Sequence, residues 1–226
     1  MKENIIYEDK EILVCHKPAG LATQTGKVGQ KDLVSEIKNY LGNSPYLGVV
    51  HRLDQPVEGL LVFAKTPFAA KELSRQLSDG ILNKQYFAIV LGKGFPKETK
   101  LENYIVKDNK TNMSKVADAK EPGAKRAELS AKTLSYIEEK GIALVAVKLY
   151  TGRHHQIRVQ LANAGFPLLG DTKYGTEESI RRSKELEVRN VALCACSLTF
   201  RHPKTGKIME FQIEPHGVIF LNLLQM

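Results

Sequence analysis

A chain of 226 residues with 42% apolar side chains can bury a sizeable core, and 26% charged residues is ordinary for a globular protein. No apolar run approaches the roughly 20 residues of a membrane span, and the mixed-charge opening "MKENIIYEDK" does not read as a signal peptide, so a cytoplasmic protein is expected. Lysine and arginine exceed the acids by 33 to 25, a net charge of +8 that most simply suits nucleic acid as partner, with a basic protein that has no such partner as the alternative.

In chain order, residues 4–17, "NIIYEDKEILVCHK", read as two short strands around an Asp-Lys turn. "PAGLATQTGKVGQ" is a loop rich in proline, glycine and threonine. "KDLVSEIKNYLG" places Leu33, Ile37 and Tyr40 at helical spacing, with Gly42 as the stop. The charged stretch "HRLDQPVEG" at 51–59 runs directly into a buried strand over 59–65. Thr66-Pro67 opens a helix whose apolar side is expected to carry Phe68, Leu73 and Leu77, and Gly80 ends it. "KQYFAIVLG" at 84–92 is a strand, while 93–125 is polar and offers one strand-like piece, "LENYIV".

"RAELSAKTLSYIEEKGIALVAVKLY" reads as a long hairpin turning at Glu139-Lys140-Gly141, and "HHQIRVQLANAG" as a short helix ending at Gly165. "RNVALCACSLTF" and "KIMEFQIE" are strands around the turn "HPKTG". Strands outnumber helices and several pair as hairpins, so the fold class is α+β with a largely antiparallel sheet, in one domain over 1–226. Cys15, Cys194 and Cys196 fit a reducing compartment, and without a CxxC or HxxxH partner set they read as buried thiols, with no metal site expected.

Three constellations could carry chemistry. His51, Arg52 and Asp54 crowd four positions, which suits a solvated turn and suits an active site. A catalytic aspartate there needs a cation to keep it ionised and aimed. Arg153, His154, His155 and Arg158 crowd the start of a short helix, where cations oppose the helix dipole. A phosphate, or a carboxylate such as Asp54, would compensate them; surface cations with no role are the alternative. Tyr86 is a strand tyrosine, ordinarily core or cross-strand packing. Spacing alone assigns "DTKYG" no role.

Taken together and in this order, "EILVCHKPAGLATQTG", "VVHRLDQPVEGLLVFAKT", "KQYFAIVLG", "TGRHHQIRVQLANAGFPLLGDTKYG" and "LTFRHPKTGKIMEF" resemble the RluA-type family of RNA pseudouridine synthases. The resemblance implies a bent, mainly antiparallel sheet flanked by helices with a central catalytic cleft. It implies isomerisation of uridines in ribosomal or transfer RNA to pseudouridine, by a monomer with no cofactor or metal. By matching positions, Asp54 would be the catalytic aspartate, Tyr86 would stack on the target base, and Arg158 would pair with Asp54. Arg52 would fill the space left by the flipped nucleotide, and His51, Arg153 and His154 would join it in contacting RNA.

The residue types suit the reaction. The base leaves C1′ of the ribose and returns through carbon. The sugar becomes electron-poor, and a carboxylate stabilises or captures such a centre. A base must also leave the RNA stack, which costs a few kcal/mol, and basic loops on the phosphates offset that cost. A binding protein that kept the fold, and a glycosylase that releases uracil, are the competing readings. The chain departs from the family at Val57-Glu58, where Thr-Ser is common, and at Gln160 and Cys194, where histidine is frequent. Only four residues precede the first strand, so the S4-like RNA-binding domain of many relatives is expected to be absent.

Overall fold

The computed structural model describes residues 2–26, 29–42, 46–92, 94–217 and 219–220. Residues 27 and 28 of the expected first loop and residue 93 of the polar segment lie outside them. The elements run β1 (Ile5–Glu8), β2 (Ile12–Lys17), α1 (Leu33–Leu41), β3 (Gly48–Val49), β4 (Glu58–Ala64), α2 (Pro67–Ser78) and β5 (Asn83–Leu91). They continue β6 (Glu98–Asp108), β7 (Met113–Ala117), β8 (Lys125–Ile137), β9 (Ile142–Leu149), α3 (Gln156–Asn163), α4 (Glu177–Glu185), β10 (Leu193–Arg201) and β11 (Ile208–Gln212). The class is α+β, as expected. Among the described residues no helix is long and apolar enough to cross a membrane. The chain divides into two compact units, Met1–Lys84 with Ala195–Glu214, and Gln85–Cys194 with Pro215–Met226.

In the first unit β1, β2 and β4 pair antiparallel in that order, β3 also pairs with β4, and β10 and β11 form an antiparallel pair beside β4. Every residue of β4 is buried, as its continuous apolar run requires of a strand covered on both faces. Its core joins Ile12, Val14, Leu60 and Val62 to Ala69 and Leu73 of α2 and to Leu198 and Phe200. Gly59 has φ 137°, and a Cβ there would stand 2.5 Å from the Ala195 backbone nitrogen, so a side chain has no room where β4 passes β10.

Helix α1 starts where Asp32 accepts from Ser35 N at 2.7 Å, and it buries Leu33, Val34 and Ile37. Tyr40 is exposed and donates its hydroxyl to Glu8 instead. Helix α2 is capped by Thr66, with Pro67 in its first turn, as expected. Its buried stripe, however, is Ala69, Leu73 and Gln76, while Phe68 is 59% exposed. The reason is the Gln76 amide, which donates to Arg201 O and accepts from Arg201 N, both at 2.8 Å, and so turns the helix toward β10.

In the second unit the order is β5, β9, β8, β6, β7, antiparallel throughout. The β8–β9 turn falls where expected, with Gly141 left-handed at φ 62°. The polar segment carries more structure than its composition suggests: β6 runs eleven residues in alternating burial and pairs with β7 as a hairpin. Helix α3 buries every residue from Gln156 to Leu161 and lies against β6 and β7. Helix α4 has no counterpart in the sequence reading. Its inner face is Ser179 and Ser183, held by Thr176 as cap and by Ser183 Oγ accepting from Gly170 N at 2.8 Å, so no hydrophobic period marks it.

Gly59→Ala combines a disfavoured φ with a backbone overlap, and is expected to cost about 3 kcal/mol, read as a lower urea midpoint with RNA-independent loss of fold.

Candidate active site

Asp54 sits on the loop between β3 and β4, half-exposed, at the start of a turn that Val57 N closes onto Asp54 O at 3.0 Å. Two anchors hold the loop. Thr23 Oγ1 donates to Leu53 O at 2.9 Å and accepts from Leu53 N at 3.2 Å. The second is Lys17, which is fully buried at the end of β2. Its ammonium donates to the carbonyls of Pro18 at 2.9 Å, Leu21 at 2.7 Å and Gln55 at 3.2 Å. Gly20 and Gln55 add a further pair of hydrogen bonds between the same two loops.

Burial brings Lys17 down to about 8, against the opposing pull of the Asp54 and Glu58 carboxylates. Glu58, one of the departures from the family pattern, is buried with its carboxylate 3.6 Å from His16 Nε2 and within reach of the Lys17 charge. Its negative charge is thereby answered inside the unit. Neither Lys17 nor Thr23 stood out in the sequence, because each looks like an ordinary strand-end or loop residue until its carbonyl and amide partners are placed.

The other cations of this loop separate. Arg52 is exposed. His51 is not: it is 7% exposed, and its Nε2 accepts from Val62 N at 3.2 Å. Burial, then the nearby Lys84 charge, holds the ring well below the usual histidine range. Buried and neutral, the imidazole braces β4 through the Val62 bond.

In the second unit Tyr86 is buried on β5 opposite Val147, and Arg158 is buried on α3. Arg158 donates from Nε and Nη2 to the two carboxylate oxygens of Asp171, each at 2.7 Å. Asp171 is therefore one carboxylate that answers the cation cluster, and it comes from the "GDTKYG" stretch that spacing left without a role. Arg153 is exposed, its Nε donating to Arg126 O at 2.8 Å. His154 is half-buried, with Nδ1 2.8 Å from Ser114 Oγ and its ring stacked on His155 at 3.7 Å.

A family model described as RNA pseudouridylate synthase matches residues 11–163, which include Asp54, Tyr86 and Arg158. The chain belongs to that family. Among its relatives are the ribosomal large subunit pseudouridine synthase C of Haemophilus influenzae, 30% identical over 213 residues, and synthase D of Nitrosomonas europaea, 35% identical over 215 residues. The matches cover 93% and 91% of this chain but 65% and 60% of those relatives' lengths. In fold it resembles human RNA Pseudouridylate Synthase Domain Containing 4, with a TM-score of 0.78 at 22% identity, over 99% of this chain and 92% of that one.

The Asp54 loop is thus partly exposed, anchored on both flanks and close enough to the buried Lys17 for their charges to interact.

The Lys17 ammonium titrates near 10.5 in the unfolded chain and near 8 in the folded one, so between those values the unfolded state binds more protons and Lys17 adds stability as pH rises. Lys17→Met is expected to lack this rise, so that the native urea midpoint climbs relative to that of the variant from pH 8 to pH 10.5.

Proposed function

We propose that the protein is an RNA pseudouridine synthase that uses Asp54 as its catalytic carboxylate. The observation that carries the reading is a half-exposed aspartate on a doubly anchored loop in a chain of this family. Asp54 acts on the sugar, at C1′ or at C2′, as the N1–C1′ bond of uridine breaks. Tyr86 lies against the detached uracil while it turns. A C5–C1′ bond then forms, the C5 proton leaves to restore the ring, and N1, no longer bonded to the sugar, takes up a proton. Arg158 balances and aims the Asp54 carboxylate.

No electron is gained or lost in this exchange of a C–N for a C–C bond, so the step calls for no redox cofactor, and as proposed it runs on Asp54, Tyr86 and Arg158 without a metal. The names of the relatives favour ribosomal RNA, with transfer RNA as the other class to assay. Arg52, Arg153 and His154 contact the RNA. The exposed Lys107 and Lys110 of the β6–β7 hairpin add charge to its grip. The chain works as one catalytic domain, monomeric and cytoplasmic.

RNA carrying uridine tritiated at C5 is expected to release tritium with the native protein and none with Asp54→Ala. Free uracil in place of pseudouridine would point to cleavage without reattachment, and RNA binding with no release from either RNA class would point to a binding protein. Lys107→Ala with Lys110→Ala is expected to weaken RNA binding at 50 mM salt, and the slope of log K against log salt should flatten by about 0.7 for each phosphate no longer neutralised. An unchanged slope would place the phosphate-binding cations elsewhere.

A further inference from the structure

The turn Asp171–Tyr174 closes around Arg158. The Asp171 carboxylate is buried, and its two short bonds fix the plane of the guanidinium through Nε and Nη2. The carboxylate is itself pinned, because Oδ1 also accepts from Lys173 N at 3.0 Å and Tyr174 N at 3.2 Å. A buried ion pair adds little net stability over apolar side chains of the same volume, because desolvation offsets the attraction. What such a pair supplies is a fixed direction.

Tyr174 continues the network. Its ring lies 5.1 Å from the Arg158 guanidinium carbon. Its hydroxyl accepts from Ser114 N at 2.8 Å and shares a second hydrogen bond with His155 Nδ1 at 2.7 Å. His155 begins α3 in the left-handed region at φ 54°, a conformation that needs outside support in a residue with a side chain. That support comes from the Tyr174 hydroxyl and from the stacked ring of His154, itself bonded to Ser114 Oγ. Lys173 Nζ adds a tie to Asn112 O at 3.1 Å. Ser114 and Asn112 belong to the β6–β7 hairpin, so three hydrogen bonds join that hairpin to the Asp171–Tyr174 turn and the paired histidines.

We propose that Asp171 and Tyr174 are the positioning residues of Arg158, and that through them the guanidinium is set by the position of the β6–β7 hairpin. This rests on the reading of Arg158 as the partner of Asp54. RNA that draws the hairpin in would move Ser114, and with it the tyrosine and histidines that brace the first turn of α3. A displacement of about 1 Å at a catalytic group can change a rate by about 100-fold.

The test compares Asp171→Asn, Tyr174→Phe and Arg158→Ala with the native chain. Three quantities are measured: the RNA dissociation constant, the single-turnover rate of C5 tritium release, and the NMR resonance of the Arg158 Nε–H, with amide exchange at Ser114 followed alongside. Tyr174→Phe keeps the ring and removes only the hydroxyl's hydrogen bonds. It is expected to bind RNA within about twofold of native, to release tritium about tenfold more slowly, and to exchange its Ser114 amide faster. Asp171→Asn is expected to shift the Arg158 resonance and to slow release by about 100-fold with binding little changed. A native rate and native Ser114 exchange in Tyr174→Phe would overturn the proposal, even if Asp171→Asn failed to fold. An unshifted Arg158 resonance in folded Asp171→Asn would overturn it too. Arg158→Ala at the native rate would instead remove Arg158 from the reaction, a failure of the functional reading that the resonance and exchange data would register separately.

Discussion

The first unit turns on one ammonium group. Lys17 is taken out of water entirely and held by three backbone carbonyls, two on its own loop and one on the loop of Asp54. Burying a cation is costly unless its donors are satisfied, and three carbonyls satisfy an ammonium. The same three bonds tie together two loops that have no regular structure of their own. The loop that carries the aspartate is thereby tied to the end of β2. Glu58 and Asp54 supply the negative charge that keeps the buried lysine tolerable, which gives the unusual Glu58 a place in the balance.

The second unit solves a related problem differently. Arg158 is anchored by a carboxylate, an aromatic ring and a turn, all from residues that follow it in the chain. In both units a buried cation is met by fixed dipoles and charges rather than by water. Such preorganisation is what lets a charged group act without first rearranging its surroundings.

Much of this was legible in the residues. The order of motifs pointed to the family, and strand periodicity placed the β8–β9 hairpin with its turn at Gly141. What escaped was whatever relied on polar interactions instead of periodicity. Helix α4 buries serines, and α2 is oriented by the Gln76 amide, so hydrophobic spacing missed the first and turned the second. Strand β7 is five residues long and gains its place from pairing with β6. In the site, His51 looked like a surface cation because sequence shows charge type but not depth. Asp171 stayed without a role because its partner is thirteen residues away, across a turn.

The three cysteines all end in the core, Cys15 on β2 and Cys194 with Cys196 on β10. Burial lifts the Cys15 thiol to about 12, so it holds its proton throughout the physiological range. Thiolates, not thiols, react with peroxides and maleimides. A cysteine introduced on the β6–β7 hairpin would therefore outpace Cys15 for a fluorescent label, and the motion of that hairpin could be followed by light with Cys15 left in place.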